Sequence, residues 1–285
     1  METKNVKTYK LINEEGKQII SETPGTLGGN KRLKIYGTLD CPSAKRWIDK
    51  GYYVQDRVFF KDEETAVKAG YRPCAVCMPK EYKEWKQKND TLKYYDEHAQ
   101  VYFDQTKKGD MSENYNRFLM LLPKEAYILD FGCGSGRDSK YFIEHGYRVT
   151  AIDGSQGMCD LASKYIGQPV RCMRFDELEE KSTYDGIWAC SSILHVTREE
   201  LPSILKKMLR ALKEDGVIYA SFKLGDKELV QDNKYYNYIT LSILEKLLKQ
   251  VDPEARVEDY YETETYDSIN RPTSFWGNYL IKKNK

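Results

Sequence analysis

The sequence predicts an α/β fold, a seven-stranded sheet of the doubly wound, parallel kind with helices on both faces, preceded by a small α+β unit that contains cysteines. Three observations support this fold class. From about residue 91 onward, β-rich segments alternate with segments of helical periodicity, as in a parallel sheet covered on both faces. A glycine-rich turn joins the first of these strands to the first of these helices. The preceding residues lack the alternation, and 285 residues are enough for two domains.

We expect the front unit to cover residues 1–88 and the larger domain to cover 89–285. The front unit is predicted to begin with a Gly- and Pro-rich loop at 23–31, followed by β-rich stretches at 32–37 and 53–60. A short helix at 62–70 ends at a glycine, and a charged linker helix follows at 79–90. Together they indicate a small α+β domain.

The larger domain is predicted to contain a complete βαβ unit, with a strand at 126–132, a helix at 137–146 and a second strand at 148–153. A further strand at 184–191 precedes a helix whose apolar residues recur at helical spacing between 201 and 212. The remaining elements are a strand, a helix and two closing strands, at residues 216–222, 240–250, 255–264 and 273–283.

Composition limits the classes of function. The net charge is +1, but the first 90 residues hold 18 Lys and Arg against 13 Asp and Glu, net +5, which leaves 27 against 31, net −4, for the rest. The basic front permits contact with nucleic acid without demanding it. No segment approaches the ~20 consecutive apolar residues of a membrane-spanning helix, and seven cysteines suit a reducing compartment. We therefore expect a cytoplasmic protein without disulfides or a membrane partner.

The most informative segment, residues 130–136, reads Asp-Phe-Gly-Cys-Gly-Ser-Gly and lies directly between the first strand and the first helix. Its glycines let the backbone turn sharply and approach a ligand at the carboxyl edge of the sheet. A dinucleotide site would show the spacing G-x-G-x-x-G, whereas Asp130 ahead of G-x-G-x-G suits a ligand with a cationic amino group. Asp153 ends the second strand, where a carboxylate can accept hydrogen bonds from ribose hydroxyls.

These segments resemble the class I S-adenosylmethionine-dependent methyltransferases, which have a Rossmann-like sheet. The resemblance rests on LDFGCGSG at the glycine turn, AID ending the second strand, RFDEL after the third and YDGIWAC in the fourth. It covers residues 91–285, and GCGSGRDS followed by SSILHV is most similar to the small-molecule and tellurite-resistance-type members. It implies S-adenosylmethionine as the cofactor and a small molecule as the methyl acceptor.

The resemblance also implies which residues bind the cofactor. The glycine turn supplies Asp130, Gly132, Cys133, Gly134 and Gly136, and the end of the second strand supplies Asp153. Phe175 and Asp176 would face the adenine, and the backbone at Ala189 and Cys190 would face the methionine part. Tyr95 and Tyr102 come from a leading helix at 94–103, and Arg137 from the first turn of the helix after the glycines. Some of these allow simpler interpretations. Asp176 could be a solvated loop acid, the two tyrosines core residues, and Arg137 an exposed first-turn residue.

His195 lies just past the fourth strand, where a general base would lie beside the transferred methyl. Transfer of a sulfonium methyl depends mostly on holding donor and acceptor in near-attack geometry. A base is needed only if the acceptor keeps its proton at neutral pH. Histidine can titrate near pH 7, but a loop histidine that binds local backbone is as common, so His195 is either a catalytic base or a structural residue.

In the front unit, Cys74 and Cys77 have the C-x₂-C spacing that lets two thiolates bind one tetrahedral ion, and Cys41 offers a third sulfur. The alternative is that these are buried structural thiols.

Residues 36–79, which include GYRPCAVC, resemble the metal-binding module of the Ada alkylation-repair protein. That module uses four cysteines, the first pair spaced C-x₃-C, and this chain has Lys45 where the second would stand. The resemblance implies a zinc site on the three cysteines, with Asp40, Asp49, water or nothing in the fourth position. It also implies that residues 1–88 can contact DNA.

Three functions compete on this basis. The leading one is methyl transfer to a small molecule. The second is nucleic-acid methylation guided by the front unit. Known exocyclic-amine base methylases carry Asn/Asp-Pro-Pro-aromatic after the fourth strand, and cytosine-C5 methylases carry Pro-Cys. This chain has Cys-Ser-Ser-Ile at residues 190–193 instead, which disfavours both kinds. The third is a metal-dependent binding or sensor protein with a vestigial catalytic fold, against which the intact glycine motif argues. The sequence identifies neither the acceptor nor the oligomeric state.

Overall fold

The computed structural model describes residues 7–266 and 272–283, with the backbone alone at residues 87–90, 266 and 272. The chain divides into two compact units, Met1–Lys86 and Gln87–Lys285. Each unit has its own sheet and its own buried core. Among the described residues, no helix is long and apolar enough to cross a membrane.

The front unit is a small α+β fold, as the sequence predicts. Its strands are β1 Tyr9–Ile12, β2 Gln18–Ser21, β3 Leu27–Asn30, β4 Ile35–Thr38, β5 Arg57–Phe60 and β6 Arg72–Pro73, in the spatial order β2-β1-β5-β3-β4-β6. Two helices, α1 Pro42–Ile48 and α2 Glu63–Lys68, lie in the connections. The Asp62 carboxylate caps α2 by accepting a 2.9 Å hydrogen bond from the Thr65 N–H.

One prediction for the front unit is wrong. The segment 23–31 is predicted to be a loop, but Leu27–Asn30 within it forms β3, which pairs with β4 and β5. A Cβ on Gly29 would lie 2.8 Å from both the Ile35 carbonyl oxygen and the Phe60 ring. Glycine is therefore required here by the close approach of strands, which a sequence cannot distinguish from a flexible loop.

The larger unit contains the predicted seven-stranded sheet, which is mixed rather than wholly parallel. Its strands, together with the small ribbon β12–β13, are β7 Tyr127–Phe131, β8 Arg148–Asp153, β9 Arg171–Cys172, β10 Tyr184–Ala189, β11 Leu212–Lys223, β12 Glu228–Gln231, β13 Lys234–Asn237, β14 Arg256–Tyr266 and β15 Pro272–Lys282. The order in the sheet is β14-β15-β11-β10-β7-β8-β9. β15 is antiparallel to both of its neighbours, and the other pairs are parallel.

Helices cover both faces of this sheet. They are α3 Pro79–Glu97, α4 Ala99–Thr106, α5 Ser112–Leu119, α6 Arg137–Glu144, α7 Gln156–Ile166, α8 Leu201–Ala211 and α9 Leu241–Val251. Successive residues of β7 point to opposite faces. Ile128 belongs to a core with Phe118 of α5, whereas Leu129 belongs to a second core with Leu205 of α8.

The predicted leading helix at 94–103 is two helices. The break is at His98, whose φ of −115° and ψ of 15° are not helical. Its Nδ1 lies 2.9 Å from the Tyr94 carbonyl oxygen. The side chain therefore competes with the backbone N–H of His98 for the same acceptor. Tyr95 and Tyr102 consequently lie on different helices, α3 and α4, although their ring centroids are 5.1 Å apart.

The sheet topology determines where ligands can bind. β7 lies between β8 and β10 and is parallel to both, so the carboxyl ends of these three strands meet at one edge. Their last residues are Phe131, Asp153 and Ala189. Ligands of open α/β sheets bind at this edge.

Candidate functional site

A cavity of about 810 Å³ opens at the carboxyl edge of the larger unit's sheet. Its volume falls within the ~300–1,000 Å³ that is usual for small-molecule and cofactor sites. Predicted residues near the glycine turn that line it are Gly132, Cys133, Gly134, Arg137 and Asp153. Predicted residues from other segments that line it are Phe175, Asp176, Cys190, Tyr95, Tyr102 and His195. The structure thus brings most of the predicted site into one cavity.

The glycine turn is fixed against the end of β8. The N–H groups of Gly132 and Cys133 donate to the Ile152 carbonyl oxygen at 3.0 and 2.8 Å. Gly132 has a φ of 89° and Gly134 a φ of 51°, conformations that favour glycine. A Cβ on Gly132 would lie 2.5 Å from the Ser192 Cβ. Both the turn and the neighbouring loop therefore require a bare backbone here.

The Asp153 carboxylate is held in place by two backbone groups. The Gly134 N–H donates to Oδ2 and the Ser155 N–H to Oδ1, both at 2.9 Å. Burial raises the pKa of Asp153, and these two N–H groups limit the rise because they favour the ionised form. Each oxygen keeps further acceptor capacity, so the carboxylate can accept hydrogen bonds from a ligand while the backbone orients it.

Three predicted residues do not line the cavity. Asp130 is 1% exposed and accepts a 2.6 Å hydrogen bond from Ser139 Oγ on α6. A Cβ on Gly136 would lie 2.8 Å from Ile166, so this glycine allows α6 to start close against α7. Ala189 is fully buried in the core. The cavity wall therefore offers no direct ligand contact from these three positions.

A buried ion pair, which sequence reasoning missed, fixes Arg137. The guanidinium donates to both Asp138 oxygens, at 2.6 and 3.0 Å. Asp138 also accepts from the Tyr115 hydroxyl at 2.6 Å and the Trp188 indole N–H at 2.8 Å. Both members of the pair line the cavity. Asp138 could not be distinguished by sequence from any acid in a first helical turn.

The two buried carboxyl groups of this region differ in charge. Burial acts to raise the pKa of Asp138, but the Arg137 charge and the hydrogen bonds outweigh it and lower the pKa. Burial and the neighbouring Asp138 charge raise the pKa of Asp130 to about 8. Asp130 therefore holds its proton at neutral pH, and the prediction that it offers a negative charge to a cationic amino group is not supported by its surroundings.

His195 and Tyr95 form a half-buried hydrogen-bonded pair in the cavity wall. His195 Nδ1 lies 2.6 Å from the Tyr235 carbonyl oxygen, which can only accept, so the proton is on Nδ1. Nε2 then accepts from the Tyr95 hydroxyl at 2.9 Å. Burial lowers the pKa of His195 to about 4 and raises the pKa of Tyr95. Both side chains are neutral at pH 7.

Asp96 joins the covering helix α3 to the turn that follows β8. Its Oδ1 accepts from Ser155 Oγ at 2.6 Å and from the Gly157 N–H at 3.0 Å. The Tyr102 ring lies over the glycine turn, 3.6 Å from where a Gly134 Cβ would be. Asp96, another residue that the sequence did not single out, thus holds α3 against the turn that follows β8.

The front unit brings its three predicted ligands together. The sulfurs of Cys41, Cys74 and Cys77 all lie within 4.8 Å of one another, and those of Cys41 and Cys74 are 3.8 Å apart. Tetrahedral zinc with bonds of ~2.3 Å places its sulfurs ~3.8 Å apart, so the cluster fits zinc. A Cβ on Gly37 would lie 2.6 Å from the Cys77 sulfur. The cluster is therefore packed against bare backbone.

The two carboxylates predicted as a fourth ligand do not join this cluster. Within the described chain, no carboxylate or imidazole lies within 4.8 Å of all three sulfurs. Asp40 is exposed and bonds to Thr38, which lowers the pKa of its carboxyl group. Asp49 is the C-cap residue of α1. Neither Asp40 nor Asp49 belongs to the cluster in this arrangement, which leaves water or an unfilled position among the predicted alternatives for the fourth ligand.

The thiols differ in how readily they ionise. Burial acts to raise the pKa of Cys74, but hydrogen bonds from the N–H groups of Cys77 and Val76 outweigh it and lower the pKa. Burial raises the pKa of Cys77 to about 11. Because a metal binds the thiolate, Cys74 is the more readily ionised ligand of these two.

A glycine turn after β7 and a carboxylate at the end of the parallel neighbour β8 form the kind of edge at which S-adenosylmethionine-dependent methyltransferases bind their cofactor. Comparison with known families agrees: residues 128–216 match the family described as a methyltransferase domain, and residues 27–80 match the metal binding domain of Ada. The chain thus carries a methyltransferase domain preceded by a metal-binding module of the Ada type.

Individual relatives are distant. YqeM of Bacillus subtilis (strain 168), named as a methyltransferase, is 30% identical over 117 residues, 37% of this chain and 47% of that protein, so the chain spans about half of its length. A 1,6-didemethyltoxoflavin-N1-methyltransferase from Burkholderia thailandensis has a TM-score of 0.57 and 22% identity over 73% of this chain and 91% of that one. TehB from Haemophilus influenzae has a TM-score of 0.52 and 17% identity over 64% and 65%. At these identities the two structures share the fold alone.

His195 is expected to stay neutral through the physiological range. Its lowered pKa means that the imidazole gains a second proton only as the pH falls to about 4. Imidazole NMR signals recorded from pH 7 to 4 should show this late titration for the signal that is lost in His195→Gln. A His195 signal that titrates near the ordinary value of ~6.5 would contradict the half-buried, doubly hydrogen-bonded geometry.

The zinc content of the protein is expected to depend on the cysteine cluster. The double variant Cys74→Ser with Cys77→Ser removes two of the three sulfurs and should lose bound zinc, measured by elemental analysis of purified protein. Cys172→Ser, which changes an exposed cysteine of the larger unit, is the control and should keep it. Equal zinc in all three proteins would eliminate this site.

Proposed function

We propose that the protein transfers a methyl group from S-adenosylmethionine to a small molecule that binds in the same cavity. We take residues 89–285 as the catalytic domain and residues 1–88 as the metal-binding domain. One observation carries the proposal: the cavity of about 810 Å³ extends from Asp153 and the glycine turn to Trp276 on β15. It therefore has a nucleoside end and a second end with different chemistry.

At the nucleoside end, each wall residue has a matching partner on the cofactor. The Asp153 carboxylate can accept from both ribose hydroxyls, while the bare backbone at Gly132 and Gly134 allows close approach. The Phe175 ring, which lies 4.6 Å from the Phe131 ring, offers an apolar face to the adenine. Arg137 can bind the methionine carboxylate, since Asp138 fixes its guanidinium at the wall. When bound, the cofactor supplies an electrophilic sulfonium methyl.

The second end is lined by polar groups suited to a compact acceptor. The Trp276 indole N–H is buried and has no hydrogen-bond partner in the described chain. Nearby wall residues form a satisfied network, in which Asn114 Nδ2 donates to the Tyr219 hydroxyl at 2.7 Å and to Asn278 Oδ1 at 3.0 Å. An unpaired buried donor costs ~1–3 kcal/mol, so an acceptor atom of the substrate would relieve it.

We assign His195 to positioning in this reaction. Its Nε2 is occupied by the Tyr95 hydroxyl, and a pKa near 4 makes it a weak proton acceptor at neutral pH. The pair instead holds the Tyr95 hydroxyl at the cavity wall, where it can hydrogen-bond the acceptor. Proximity and alignment then supply most of the rate enhancement, as expected for an in-line methyl transfer.

Methylation of nucleic acid is the second candidate, because residues 27–80 match the metal binding domain of Ada. Exposed aromatic side chains on this unit, Trp47 and Tyr52, are compatible with base stacking. The residues that line the cavity of about 810 Å³ give no further support for a nucleic-acid substrate. A vestigial fold that only senses metal is disfavoured, since the glycine turn and Asp153 retain their mutual hydrogen bond.

The test is the destination of the label. Purified protein is incubated with methyl-labelled S-adenosylmethionine and a cell extract, which is then separated into small-molecule, protein and nucleic-acid fractions. Label is expected in the small-molecule fraction. At a cofactor concentration below saturation it should fall about tenfold or more with Asp153→Ala and persist with Asp160→Ala, a change at an exposed acid on α7. Label confined to protein or to nucleic acid would overturn the proposal.

A further inference from the structure

The front unit contains a second cavity, of about 100 Å³, beside the cysteine cluster. It lies among β3, β4 and α1, and its wall includes both Cys41 and Cys74. The methyltransferase site does not use it, because the two cavities share no residue. Its volume suits a ligand of a few non-hydrogen atoms and is too small for a nucleoside.

A metal held by the cluster would lack one ligand from the described chain. Zinc is almost always four-coordinate in structural sites, and three sulfurs within 4.8 Å of one another supply three of those positions. Sites with an open fourth position bind water or an exogenous ligand there. Two of the sulfur-bearing residues line the small cavity, so a ligand in this cavity lies beside the cluster.

Asn30 adds a polar group that has no partner. It is only 5% exposed, it lines the small cavity, and its Oδ1 accepts a 2.8 Å hydrogen bond from the Leu33 N–H. This bond fixes the amide, while its Nδ2 has no hydrogen-bond partner in the described structure. A buried donor left unpaired is costly, so an acceptor atom brought against Nδ2 by a ligand would be stabilising.

Arg57 supplies a positive charge to the same wall. Its guanidinium lies 5.1 Å from the centroid of the Phe59 ring and forms no ion pair with any described carboxylate. Its Nη2 lies 3.9 Å from the position that a Cβ on Gly28 of β3 would take, so the guanidinium lies beside this strand. An arginine held beside a cavity and left without an acid favours an anion.

We propose that the Cys41, Cys74 and Cys77 site binds its metal with the fourth position open to a small organic anion, which ligates the metal and accepts hydrogen bonds from Asn30 and Arg57. The front unit is then a metal-dependent receptor for a small anion. This assignment is independent of the methyl-transfer reaction. It requires a ligand with a metal-binding atom at one end and an oxygen acceptor at the other.

Cobalt(II) spectroscopy of the full chain tests the proposal. The protein is loaded with Co²⁺ in thiol-free buffer without oxygen and titrated with mercaptoacetate, with 2-mercaptoethanol as the ligand that lacks a carboxylate. We expect saturable changes in the ligand-field bands with mercaptoacetate and binding at least about tenfold weaker with 2-mercaptoethanol, the loss expected for a hydrogen bond to a charged group. Metal analysis after gel filtration confirms that the ion stays bound.

Two variants connect the spectrum to the cavity. Asn30→Asp keeps the oxygen that binds the Leu33 N–H but removes the Nδ2 donor, and Arg57→Gln removes the charge. Each should weaken mercaptoacetate about tenfold or more while the cobalt–thiolate absorption stays as in the wild type. Arg32→Gln changes an exposed arginine outside the cavity and should bind as the wild type does.

Several results would overturn the proposal. These are no cobalt–thiolate absorption in the wild type, no spectral change with mercaptoacetate, equal binding by both thiols, or equal mercaptoacetate affinity in Asn30→Asp, Arg57→Gln and wild type. A spectrum that responds to a DNA oligonucleotide but not to mercaptoacetate would also overturn it, because the open position would then serve a macromolecule.

Discussion

The hydrogen bond from the Gly134 N–H to the Asp153 carboxylate is the interaction on which the catalytic site depends. It joins the turn after β7 to the end of β8, so the bare backbone and the carboxylate form one rigid edge. The parallel register makes this possible, since it brings the ends of both strands to the same side of the sheet. Asp96 extends the arrangement to the covering helix α3 through Ser155. The cavity is thus preorganised rather than assembled by its ligand.

The ionisation states of buried side chains distinguish the other residues in and behind the cavity wall. Asp138 stays ionised because Arg137, Tyr115 and Trp188 all donate to it, whereas Asp130, only a short distance away in sequence, keeps its proton. A buried ion pair is weak evidence for stability, because desolvation of the two charges offsets their attraction. This pair fixes the guanidinium at the cavity wall. His195, neutral and bonded on both nitrogens, fits the same pattern of fixed, oriented groups.

Much of this site could be predicted from the sequence, for a topological reason. A glycine turn after one strand and an acid at the end of the next must meet at the carboxyl edge, so Gly132, Gly134 and Asp153 follow from position alone. Motif position does not fix the direction of a side chain. The sequence therefore could not show that Asp130 faces Ser139 on α6 instead of the cavity. Trp276 and Asp138 could not be predicted, because their roles arise from contacts between segments that are remote in sequence. In the front unit, cysteine spacing predicts the cluster, while the cavity beside it depends on how β3 packs.

The most direct test of the central claim is calorimetric titration of S-adenosylhomocysteine into the wild-type protein, Asp153→Ala and the surface control Asp160→Ala. If the Asp153 carboxylate binds the ribose, its removal should weaken binding by about tenfold or more, the loss expected for hydrogen bonds to a charged group, and the control should match the wild type. Thermal unfolding without ligand establishes that the variants are folded. Undiminished affinity in a folded Asp153→Ala protein, or no binding by the wild type, would contradict the account.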